Sequence, residues 1–121
     1  MLFLLSLALA APAPADPRPL GVETTIAFAS NGGLRDWARD PAQRDLLYVR
    51  DRTEHWYQVR LTGDCGANFS LDTLGYTTNN LGAFDLFSRI SFLRQPNVVC
   101  GVKSIRTSLP PAGHQGRRPR Q

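Results

Sequence analysis

From Leu46 to Leu61 the chain alternates apolar and polar positions on either side of a polar centre. Leu46-Leu47-Tyr48-Val49-Arg50 leads into Asp51-Arg52-Thr53-Glu54, and His55-Trp56-Tyr57-Gln58-Val59-Arg60-Leu61 follows. Runs rich in β-branched, aromatic and leucine side chains around four polar residues predict two strands that reverse at 51–54 and pair as a hairpin. Strand side chains point alternately to opposite faces, so Tyr57, Val59 and Leu61 share a core face while Trp56, Gln58 and Arg60 share a mixed one. The first strand places Tyr48 and Arg50 on one face. The four-residue turn leaves open whether that face meets the Trp56, Gln58 and Arg60 face across the hairpin.

The rest of the chain shows the same pattern in shorter pieces. Thr24, Thr25, Ile26 and Phe28 make 23–29 a strand by composition, ended by Ser30-Asn31-Gly32-Gly33. Leu34 to Trp37, before Asp40-Pro41, reads as a short strand or a single helical turn that plants Trp37 in the core. Beyond the hairpin, Gly63-Asp64 turns the chain into Cys65. Phe69, Leu71 and Leu74 suggest one short helix over 68–74, and Gly75 to Thr78 looks extended. Asn79-Asn80-Leu81-Gly82 signals a turn, Phe84 to Leu93 alternates as a strand, and Gln95-Pro96-Asn97 turns again. Val98 to Thr107 is the last strand and carries Cys100. Short strands at regular spacing, with at most one short helix, predict a mainly β fold: a small antiparallel barrel or sandwich braced by one disulfide.

Length and the two ends set the domain plan. A chain of 121 residues has room for one domain. Leu2 to Ala11 is an apolar run followed by Ala-x-Ala patterns ending at Ala10, Ala13 and Ala15. It is too short to span a bilayer and reads as a signal peptide, although no Lys or Arg precedes it. The expected plan is a signal peptide at 1–15, an extended Pro-rich lead-in at 16–22, one β domain at 23–109 and a disordered basic tail at 110–121. Net charge is +4, but Arg117, Arg118 and Arg120 supply three of those charges. The body is therefore close to neutral, which disfavours nucleic acid as a partner.

A likeness emerges once the strands are placed. The residues carrying it are Leu34-Arg35-x-Trp37, Leu47-Tyr48-Val49, Trp56-Tyr57-x-Val59-x-Leu61 leading to Cys65, Leu74-Gly75-Tyr76, Phe84-Asp85-x-Phe87-Ser88-x-Ile90, and Cys100 followed by Ser104-Ile105. With these the chain resembles a family of small secreted proteins of Gram-negative bacteria that is catalogued as a domain of unknown function. The likeness spans Ile26 to Ser108. It departs from the family pattern at Ser70-Leu71, and it implies a secreted domain linked by a disulfide without implying any activity.

The candidate chemistry is sparse. Cys65 and Cys100 are the only cysteines. In an exported chain they are expected to form a disulfide rather than join His55 and His114 at zinc, because neither belongs to a C-x-x-C pair and His114 lies in the tail. No metal and no cofactor is expected. His55 beside Asp51 or Glu54 is the one base near a carboxylate, and Ser88 or Ser104 would be the nucleophile, but no G-x-S-x-G elbow accompanies them. Asp85 with Ser88 reads better as a local turn. The expectation is a periplasmic or secreted, non-enzymatic binding or structural module with no membrane span after cleavage. Its partner would be a periplasmic protein or an envelope component, and its binding face Tyr48, Arg50, Trp56 and Arg60. The alternative is a small hydrolase-like enzyme or an enzyme inhibitor acting in the periplasm.

Overall fold

Six strands account for the architecture of the described residues: β1 Leu34–Arg39, β2 Leu46–Asp51, β3 Trp56–Leu61, β4 Leu74–Tyr76, β5 Arg89–Phe92 and β6 Gln95–Ser108. The computed structural model describes residues 18–63, 74–93 and 95–114, with the backbone alone at 95 and 96. All neighbours are antiparallel in the order β1-β2-β3-β6-β5-β4, and the sheet curls into a nearly closed barrel. The fold is mainly β, and no helix occurs among the described residues. Accordingly, no helix there is long and apolar enough to cross a membrane.

β6 is the hub because it is long enough to serve several neighbours. Its first half pairs with β5, from Gln95 to Gly101, and its second half pairs with β3, from Val102 to Ser108. The other edge of that second half takes the lead-in. Gly21 N donates to Thr107 O, Thr107 N donates to Val22 O, Thr24 N donates to Ile105 O, and Glu23 bridges Arg106. From residue 18 onward the extended lead-in is thus a docked edge segment. Arg18 also lies over the Tyr57 ring at 4.7 Å and donates to Trp56 O.

The core follows the predicted alternation. Leu47, Val49, Tyr57, Val59 and Leu61 point inward with Ile90, Phe92, Val102 and Ile105. Trp37 and Leu34 pack against them from β1, which is a strand rather than a helical turn. Two expected strands are shorter than their composition suggested. Residues 23–29 make only isolated bridges, Glu23 to Arg106 and Ile26 to Phe84, because Phe28 turns into the left-handed region at φ 55°. Of 84–93 only Arg89–Phe92 is strand. Phe84 is bridged and fully buried, while Asp85 to Ser88 forms a turn closed by Ser88 N to Asp85 O. The expected turn at 95–97 also moves, since Gln95 already pairs with Phe92. The suggested helix at 68–74 lies outside the described residues except for Leu74, which opens β4.

The ends of the strip approach one another through Tyr76. Its hydroxyl accepts Leu34 N–H at 3.2 Å and donates to Ala29 O, tying β4 to the loop before β1. Its ring meets Phe84 edge-on at 6.0 Å.

Candidate binding furrow on the outer face

The hairpin register settles how the two mixed faces meet. Arg50 lies opposite Trp56, Tyr48 opposite Gln58 and Leu46 opposite Arg60, so both faces coincide on the outside of the barrel. Extending the register outward gives three parallel rows. The first runs Asp36, Arg50, Trp56, Ser108; the second Ala38, Tyr48, Gln58, Arg106; the third Leu46, Arg60, Ser104. Asp40 joins the third row, because its N–H donates to Leu46 O.

The first row is roofed. Trp56 is 5% exposed and lies beneath His114, whose ring meets it edge-on at 5.2 Å, with the Arg50 guanidinium 5.9 Å from its centre. Arg50 reaches Glu54 at 2.8 Å and Asp36 at 3.9 Å, and Asp36 is 3.6 Å from His114 Nδ1. Pro111 is buried and accepts His114 N–H. The part of the tail from Pro110 to His114 is therefore a packed turn, and the expectation of disorder from 110 is corrected that far. Residues 115–121 lie outside the described residues.

The third row forms the opposite wall. Arg60 is held by Asp45 and Gln43, each at 2.9 Å. Asp40 caps the turn after β1, accepting Ala42 N–H at 2.9 Å, Gln43 N–H at 3.0 Å and the Tyr48 hydroxyl at 3.1 Å. Burial opposes charge on Asp40, but those donors and the nearby Arg60 together hold its carboxyl below the usual range. Burial first, then the bond to Asp40 and its charge, push the Tyr48 phenol upward.

Between the walls the second row is the floor of a furrow. A cavity of about 600 Å³ opens between Ala38, Asp40, Tyr48 and the Pro111–His114 turn. A second of about 360 Å³ shares Tyr48 and reaches Gln58 and Thr107. A third of about 310 Å³ shares Gln58 and ends at Arg60, Lys103 and Arg106. The three share lining residues along the second row, whose four strands give a floor about 14 Å long at ordinary inter-strand spacing.

The candidate face is thus divided. Tyr48 and Arg60 line the furrow, whereas Arg50 and Trp56 support it from beneath the roof. Sequence reasoning missed Asp40 and Arg106, and it put Gln58 on this face without naming it among the binding residues. Asp40 was visible only as a residue before proline, and Arg106 only in alternation with Ile105. Cys65 lies outside the described residues; Cys100 sits half-buried on β6 opposite Ile90.

The base and carboxylate near the hairpin turn are a structural device. Asp51, 7% exposed, accepts Thr53 N–H, the Thr53 hydroxyl and His55 N–H on one oxygen and the Tyr57 hydroxyl on the other. His55 Nδ1 lies 2.7 Å from the Thr53 hydroxyl, which already donates to Asp51, so the imidazole is the donor there. Ser88 is buried, with its Oγ accepting Asp85 N–H, and Ser104 lies at the far end of β3 from His55. Among the described residues no three His, Cys, Asp or Glu side chains gather as a metal site.

Compared with known protein families, with curated proteins and with solved structures, the chain matches none.

Proposed function

We propose that the protein is an exported, disulfide-linked binding module without catalytic activity, and that it holds a short peptide in extended conformation along the furrow. The observation that carries this reading is the continuous floor Ala38, Tyr48, Gln58 and Arg106 between two walls whose side chains are already fixed by hydrogen bonds. A site whose rotamers are set before binding loses less entropy when a ligand arrives. The floor length suits about four extended residues. Tyr48 offers a ring face and Gln58 an amide, while Arg106 is half exposed and only loosely paired with Glu23 at 3.7 Å. His55, Ser88 and Ser104 are separated by the fold, which weighs against the hydrolase alternative.

Export rests on the apolar run before the Ala-x-Ala patterns and on the likeness to secreted proteins. The disulfide is supported by the pairing of Thr62 with Gly101, since Thr62 N donates to Gly101 O and Gly101 N donates to Thr62 Oγ1. Gly101, the residue after Cys100, thus pairs with a residue three positions before Cys65 in the sequence.

A random peptide library displayed against the full chain tests the function. We expect a consensus of about four residues whose binding is lost in Tyr48→Ala combined with Arg106→Ala, with the domain still folded. Trp56→Ala should instead lower stability by about 3 kcal/mol, because it empties a buried site. Selection of no peptide, or capture unaffected by the double change, would exclude the furrow.

A further inference from the structure

Away from the furrow, two loops project large apolar side chains into solvent. Phe87 is 92% exposed, Leu81 89%, Phe28 74% and Leu86 51%. They belong to one loop cluster. Ala29 N and Ser30 N both donate to Gly82 O, and Ile26 and Phe84 exchange both backbone hydrogen bonds. We propose that this cluster docks the protein on an anionic lipid bilayer, with these four side chains entering between the headgroups.

The exposure is built in rather than incidental. Asn79 Oδ1 accepts the N–H of Leu81 and of Ala83, and its Nδ2 donates to Asp85. Asp85 accepts Phe87 N–H at 2.9 Å, while Asp85 N donates to Ser88 Oγ. Phe87 therefore stands at the tip of a turn fixed on both sides. Phe28 occupies the left-handed region, where an aromatic residue is strained, yet its ring gains no burial for that cost.

Charge selects the occupant. In the stretches 26–33 and 77–89 the only charged residues are Asp85 and Arg89. Asp85 is engaged by Asn79, Phe87 and Ser88, and Arg89 is exposed. Arg52 reaches in from the hairpin turn, its guanidinium on the carbonyls of Ser30 and Asn31. Separate apolar tips flanked by arginine suit an interface of acyl chains and phosphate headgroups, which closes around each tip.

Co-sedimentation of the full chain with phosphatidylglycerol–phosphatidylethanolamine vesicles provides the test, with phosphatidylcholine vesicles as the neutral control. Binding should favour the anionic vesicles and fall roughly tenfold in Phe87→Ser, as expected for withdrawing one large apolar side chain. Arg52→Gln with Arg89→Gln should weaken it on anionic vesicles alone. Phe28→Gly separates binding from folding, because glycine relieves the positive φ: melting should rise while vesicle binding falls. In Phe87→Trp the indole should be quenched by brominated acyl chains. Binding that survives Phe87→Ser with Leu81→Ser would belong to the apolar N-terminus and would overturn the proposal. So would equal binding to phosphatidylcholine, or a concentration-dependent dimer lost in Phe87→Ser without any lipid binding.

Discussion

At Asp51 a single carboxylate organises the hairpin turn. Four donors converge on it while Glu54 turns at φ 68°. Asp51→Ala should destabilise the domain by about 2–4 kcal/mol in urea unfolding, because it strands buried donors. Its partner Tyr57 sets an alkaline limit. Burial first, and then the charge of Asp51, push the Tyr57 phenol up to about 12 despite the Arg18 guanidinium over its ring. The folded phenol holds its proton more tightly than the unfolded one, so its stabilising share is complete below pH 10 and is lost as pH rises toward 12. Absorbance titration should show one tyrosine ionising last, and Tyr57→Phe should remove that part of the alkaline destabilisation.

The strands legible in the sequence are those whose alternation continues unbroken, such as Tyr57, Val59 and Leu61. Those misjudged have alternating composition but contain a backbone event that composition does not display. Phe28 breaks 23–29 with a positive φ, and Asp85 draws 85–88 into a turn by accepting Phe87 N–H. The start of β1 depends on a comparable event at Gly33, where an added Cβ would lie 2.0 Å from Phe28 O. Gly33→Ala should therefore cost at least about 2 kcal/mol, as forced backbone displacement does. Gly63→Ala should be nearly neutral, since nothing lies within 4 Å of its new Cβ. Denaturation midpoints of the two variants give the comparison.

For the whole molecule, an antiparallel barrel or sandwich was legible because each apolar face needed a partner and the strands were too many and too short for a flat sheet, and the structure is the barrel-like of the two. The furrow was only half legible. Alternation put Trp56 and Arg60 on one mixed face and left open whether Tyr48 joins them, and the roof over Trp56 comes from His114, in a stretch whose composition reads as solvated. A Cys65–Cys100 link would join the region after β3 to β6; Cys100→Ser should then cost about 2–5 kcal/mol. Intact mass with and without reductant should differ by two hydrogens, and two freely alkylated thiols would exclude the bond. The contact at Tyr76 carries a dynamic consequence. Between β1 and β4 themselves the Tyr76 phenol stands in place of a backbone ladder among the described residues, beside the bonds that join Ala29 and Ser30 to Gly82, so this seam can part without loss of the hydrogen bonds among β1, β2, β3 and β6. The Leu34 amide should exchange with solvent by local opening, well before the amides of β3, and faster still in Tyr76→Phe. The barrel would breathe along one line, and the interior around Trp37 and Phe92 would be reached from there first.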